Sequence, residues 1–152
     1  MALTSRISLA VSANQIATLD LGSATATLAK SYVSTLADGT AAGQANRLFQ
    51  DTRTLAASAT EDLDLAGVLA SPFGATLTFV EVRAILIKAA AANTNNVNVT
   101  RPASNGVPLF LAAGDGGPVP PGGVFLWACP ADGKGAVTAG TGDLLTITNS
   151  AG

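Results

Sequence analysis

From Thr60 onward the chain alternates apolar and polar residues with a period of two, in short runs broken by Gly, Pro and Asn, which is the signature of half-buried β-strands. In Thr60–Leu65, Glu61, Leu63 and Leu65 fall on one face while Asp62 and Asp64 fall on the other. In Thr76–Lys88, Val80, Val82, Ala84 and Leu86 share one side and Phe79, Ile85 and Ile87 the other, with Glu81 and Arg83 spaced to pair on that second side. Apolar on both faces, this segment reads as the central strand of the domain. Val97 and Val99 alternate with Asn96 and Asn98, and Val107–Leu111, Val124–Cys129 and Leu144–Thr148 complete the set. The expected core is Phe79, Val80, Val82, Ile85, Leu86, Ile87, Phe125 and Trp127.

Turn chemistry supports this reading. Asp38-Gly39, Asn105-Gly106, Asp115-Gly116 and Asp132-Gly133 are dipeptides whose Gly accepts positive φ and whose Asn or Asp bonds its own backbone. The N-terminal third is more ambiguous. Leu28, Tyr32 and Leu36 recur at a helical spacing of four, but the β-branched Thr25, Thr27, Val33 and Thr35 favour a strand ending at Asp38-Gly39. Before it, Ile7, Leu9, Val11, Ile16, Leu19 and Leu21 are interspersed with small polar residues. The predicted fold is all-β: an antiparallel β-sandwich or jelly-roll-like barrel with an extended N-terminal arm. Residues 1–24 form the arm or edge strand and residues 25–152 a single β domain, a size that buries a core without disulfides.

Composition narrows the function. Among 152 residues there is no His, one Cys, one Trp and one Tyr, so most acid-base, nucleophilic and transition-metal chemistry lacks its usual side chains. The chain reads as a non-enzyme without a cofactor. Only 12% of residues are charged, against about 25% in an ordinary soluble domain. Its surface is therefore expected to be polar but uncharged, or covered by neighbours. With a net charge of −2 and scattered basic residues, no nucleic-acid partner is expected. The longest apolar-rich stretch, Leu77–Ala92, carries Glu81, Arg83 and Lys88, so no membrane span is expected either. The chain reads as made in a reducing cytoplasm, with Cys129 a buried hydrophobe.

Possible sites each have a plainer explanation. Glu61, Asp62 and Asp64 could hold a hard cation, but on a strand Asp62 and Asp64 point away from Glu61. Gly114–Gly123 matches no phosphate-loop spacing, and its prolines lack backbone donors, so a rigid turn is expected there. No Ser stands in an S-x-x-K motif with Lys30, Lys88 or Lys134. Asn98-Val-Thr100 matches the glycosylation pattern by chance. More informative is the arm. Leu3, Ile7, Leu9 and Val11, spaced by small polar residues, suit a segment that lies across an adjacent subunit and adds a strand to it.

Several segments together resemble the small structural proteins of tailed bacteriophages. They are Leu36–Asn46 running into Asp51–Leu55, Ala59–Leu65, Phe79–Lys88 followed by Asn93–Val97, Pro121–Leu126 and Val137–Leu144. The likeness covers roughly residues 36 to 149. It implies a virion structural protein with no catalytic residues, most simply a capsid decoration (cement) protein that binds and stabilises the major-capsid shell. The implied partners are the major capsid protein and further copies of the chain, in a homotrimer or another small cyclic oligomer. The implied location is the capsid surface of the virion. It also implies one more apolar strand after Leu144–Thr148, a place that a neighbouring subunit is expected to fill. The competing role is a tail or head-fibre module that recognises a host-surface ligand.

Overall fold

The computed structural model describes residues 2–131 and 135–150. Among them there is no helix, and eight strands follow in order: β1 (Ser5–Leu19), β2 (Gly22–Leu36), β3 (Thr60–Asp64), β4 (Ala84–Lys88), β5 (Val97–Thr100), β6 (Gly116–Val119), β7 (Val124–Ala128) and β8 (Leu144–Asn149). They form three antiparallel sheets: the ribbon β1-β2, a four-stranded sheet in the order β3-β8-β5-β6, and the pair β4-β7. The fold is all-β and sandwich-like, and the sheets do not close into a barrel.

The period of two explains how the body packs. Leu63 sits opposite Leu145, and Val99 lies beside Ile147, so these side chains share the inner face of the four-stranded sheet. Val99, Val119 and Leu145 are fully buried there, joined by Val107 from a loop. Pairing Ile85 with Trp127 and Ile87 with Phe125 builds the inner face of β4-β7, which packs against the same core. Phe110 and Phe125 meet at a ring-centroid distance of 5.9 Å. On the other face of the large sheet stand Thr60, Asp62, Asn98, Thr100, Thr146 and Thr148. The Thr60 and Thr148 hydroxyls are bonded at 3.0 Å, and the Thr146 hydroxyl donates to Asp62. A face made of hydroxyls needs no second layer.

Several expectations require correction. Thr76–Lys88 is not one central strand: only Ala84–Lys88 is β4, and the chain bends at Arg83. Val82 and Arg83 at that bend are both buried, while Val80 and Leu86, on the face away from Ile85 and Ile87, are 78% and 68% exposed because nothing covers that face. Neither Val80 nor Leu86 belongs to the core; Val82 does, and Phe79, Ile85, Ile87, Phe125 and Trp127 are partly buried against it. Val107–Leu111 forms turns rather than a strand. Part of the Gly-rich stretch is a strand instead, because β6 lies at a sheet edge, where Pro118 is tolerated. Gly116 is needed there, since a Cβ would collide with the Val99 carbonyl oxygen. In Asn105-Gly106 it is Asn105, at φ 57°, that takes the positive φ expected of Gly106, and in Asp115-Gly116 the positive φ falls on the preceding Gly114 instead of Gly116. Asp132-Gly133 lies outside the described residues.

Burial orders the expected effects of truncation. Leu145→Ala, at a site 1% exposed, is expected to destabilise the fold by about 2–5 kcal/mol. Leu86→Ala should stay within about 0.5 kcal/mol of the parent. Urea unfolding followed by tryptophan fluorescence compares the two, and equal losses would place the β4 outer face inside a core.

Candidate functional site

The arm is a ribbon rather than a single strand, and it extends beyond residue 24. β1 and β2, each 15 residues long, pair along their whole length from Ser5↔Leu36 to Leu19↔Gly22, joined by the two-residue turn Asp20-Leu21. At about 3.4 Å per residue the ribbon is about 50 Å long. From Ser8 to Val33 every residue is exposed, and neither strand has a second neighbour.

Directly opposed residues in an antiparallel pair project from the same face. One face therefore carries Ile7 with Ser34, Leu9 with Tyr32, Val11 with Lys30, Ala13 with Leu28, Gln15 with Ala26, Ala17 with Ala24 and Leu19 with Gly22. The other carries Ser8 with Val33, Ala10 with Ser31, Ser12 with Ala29, Asn14 with Thr27 and Thr18 with Ser23, broken by Ile16. The ribbon is amphipathic, and its apolar face is uncovered. Its bulky residues gather toward the base and its small ones toward the tip. Where they thin out, Ala13, Gln15, Ala26, Thr27 and Leu28 line a shallow hollow of about 230 Å³.

Of the expected interface residues, Ile7, Leu9 and Val11 stand in one row on the apolar face. Leu3 does not: it precedes β1 at the ribbon's base, and its N–H donates to Asp38 Oδ1 at 3.0 Å. The β2 contribution of Leu28, Lys30 and Tyr32, and the tip residues Leu19 and Leu21, were not expected. The signal for them is Asp20-Leu21-Gly22 between two runs of alternating residues of equal length.

The ribbon is fastened to the body at one end. Leu36 is buried, the Ala37 N–H donates to the Gly43 carbonyl at 3.1 Å, and the Gly43 N–H donates to the Pro130 carbonyl at 2.9 Å. Gly39, at φ 140°, makes the tight turn between them. Beneath this loop lies Arg83, 8% exposed. Its guanidinium donates to the carbonyls of Thr40 (3.3 Å), Ala41 (3.2 Å) and Ala131 (2.6 Å), and pairs with Glu81 at 2.9 Å. One side chain thus ties the ribbon's base to both the β4 and β7 ends of the small sheet. A planar fork of five donors suits that task, and a lysine ammonium does not.

Other clusters are engaged locally. Glu61 pairs with Arg53, which also holds Asp51 at 3.2 Å and stacks on Phe49. Asp62 accepts from Thr146, and Asp64 Oδ1 accepts from the Ala66 N–H at 2.9 Å, so the acidic trio does not converge. No group of three or more His, Cys, Asp or Glu side chains suited to a metal occurs among the described residues. Phe49, Gln50, Asp51, Arg53 and Val68–Ser71 line an open depression of about 320 Å³ whose charged groups are already paired. Buried Asp143 caps the Gly140 N–H through Oδ2 at 2.6 Å, while its Oδ1 has no protein partner. Cys129 is half-buried. The outer side of β4-β7 is a second uncovered apolar surface, with Leu86, Val124 and Leu126 exposed.

The chain is an all-β protein built as a sandwich-like body with a protruding ribbon. No family model matches it, and no match was found among curated proteins or solved structures.

Replacing Arg83 should loosen the ribbon's base before the body. Arg83→Ala removes the guanidinium's bonds to Glu81 and three carbonyls and is expected to cost about 3 kcal/mol or more. Arg83→Lys should recover less than half of that. Hydrogen exchange is the check: faster exchange at Ala37, Gly43 and Ala45 is expected in both variants, and unchanged protection there would show that Arg83 is no tether.

Proposed function

We propose that this chain is a non-catalytic structural subunit of a tailed-phage particle, a capsid decoration protein that binds the major capsid protein at the shell surface. One observation carries the reading: a ribbon about 50 Å long, with an apolar face and two unpaired edges, projects from a folded body with every residue from Ser8 to Val33 exposed. An isolated two-stranded sheet is marginal in water, and open edges are usually guarded by charge or proline. This one is thinly guarded. Arg6, Asp20 and Lys30 are its only charged residues between Ala2 and Leu36, and it contains no Pro. Such a segment suits an assembly in which another protein covers it. The hydroxyl-rich outer sheet face and the low overall charge fit a subunit held among others, and the resemblance of residues 36 to 149 to phage structural proteins supplies the setting.

Removing residues 1–12 would leave the Ala29–Leu36 half of β2 without its partner, so the informative variant shortens both strands together. Replacing residues 9–32 with Asn-Gly joins Ser8 to Val33, a directly opposed pair, through a favoured two-residue turn. Intact and shortened proteins are added to phage shells lacking decoration, and the shells are sedimented. The intact protein should bind, and the shortened one should bind at least about tenfold more weakly, since each buried side chain lost is worth about 1.5–3 kcal/mol. Equal occupancy would overturn the role of the ribbon. A virion carrying a handful of copies instead of hundreds would favour the tail or head-fibre role.

A further inference from the structure

The apolar face of the ribbon is complementary to itself when reversed. Counting cross-strand pairs from the base gives Ser5/Leu36, Ile7/Ser34, Leu9/Tyr32 and Val11/Lys30, then Ala13/Leu28, Gln15/Ala26, Ala17/Ala24 and Leu19/Gly22. The base half is bulky and the tip half is small. Two ribbons laid face to face in the same direction would set bulky against bulky and leave the alanines facing one another across a gap. In opposite directions, Ile7 faces Ala17 and Ala24, and Leu9 with Tyr32 faces Gln15 and Ala26. At these two levels large meets small, which is how two sheets pack evenly at about 10 Å. The hollow bounded by Ala13, Gln15, Ala26 and Leu28 lies where the Leu9/Tyr32 pair of a reversed copy arrives.

Reversal also separates the two Asp20 tips, which packing in the same direction would bring together, and like charges held together are unfavourable. The area is also sufficient. A face about 50 Å long and about 10 Å wide covers about 500 Å², so two copies bury about 1,000 Å², the floor for a specific interface, before any contact between a tip and the partner's body.

We infer that the apolar face of the ribbon binds a second copy of this chain, the two ribbons packing antiparallel about a two-fold axis near Ala13 and Leu28, with the bodies at opposite ends. The inference rests on the reading of the ribbon as an assembly interface, and it names the partner of the apolar face. It leaves the ribbon edges and the outer side of β4-β7 free for the shell.

Sedimentation equilibrium of the full chain tests the stoichiometry, and disulfide mapping tests the direction. The full chain should sediment at twice its 15.0 kDa mass, and the Asn-Gly-shortened variant at the mass of one chain. In a Cys129→Ser background, the double variant Ile7→Cys with Ala24→Cys should oxidise to a covalent dimer. Within one ribbon those two sites are five rungs, about 34 Å, apart, so they cannot bridge each other. The single variants Ile7→Cys and Ala24→Cys should remain uncrosslinked. Efficient dimerisation of Ile7→Cys alone would mean parallel packing and would overturn the antiparallel pair. A monomeric full chain whose shell binding still depends on the ribbon would overturn self-pairing alone. A monomer whose shell binding is indifferent to the ribbon would overturn both readings.

Discussion

A sheet of two strands has no second layer, and everything distinctive about this protein follows from that constraint. Apolar side chains on such a ribbon gain burial only from another molecule, because nothing in the chain reaches them. The two sheets of the body solve the same problem internally: Leu63, Val99, Val119 and Leu145 meet Ile85, Ile87, Phe125 and Trp127 across a shared core. The ribbon, with Leu9, Val11, Leu28 and Tyr32 in the open, has its solution outside the chain.

An interface on a long lever also needs a rigid root. Arg83 supplies it by gathering three carbonyls and one carboxylate at the ribbon's base. Its burial looks expensive for a charge, and it is sustained because the guanidinium's donors are met by these carbonyls and by the Glu81 carboxylate. The same residue marks the bend that ends the run Phe79–Val82 and begins β4.

Three strands of the four-stranded sheet, β3, β5 and β8, were legible in the sequence because they alternate cleanly; Leu63, Val99 and Leu145 could be assigned inward from period alone. The Glu81–Arg83 pair was likewise legible from spacing. Segment Thr76–Lys88 misled because apolar residues on both faces read as a strand covered on both sides, whereas nothing covers the face of Val80 and Leu86. β6 was hidden by composition, since Gly116-Gly117-Pro118 reads as a turn and only an edge position lets it be a strand. The interface was half legible. Ile7, Leu9 and Val11 stood out as an alternating row, but the spacing of four that linked Leu28, Tyr32 and Leu36 fits one face of a strand as well as one face of a helix. The turn between the strands, Asp20-Leu21-Gly22, lacks the Asn-Gly or Asp-Gly signal that would have revealed a hairpin.

The central claim is that the ribbon's apolar face is covered by another protein when the chain is at work. Amide hydrogen exchange across Ser5–Leu36 measures this most directly, read at high dilution and again in the assembled state. At dilution the distal ribbon, Leu9–Tyr32, should exchange far faster than Val99 and Leu145 in the body, as expected of a segment with few buried contacts. On assembly its protection should rise toward that of the body. A distal ribbon that is equally protected in both states, or equally unprotected in both, would contradict the account.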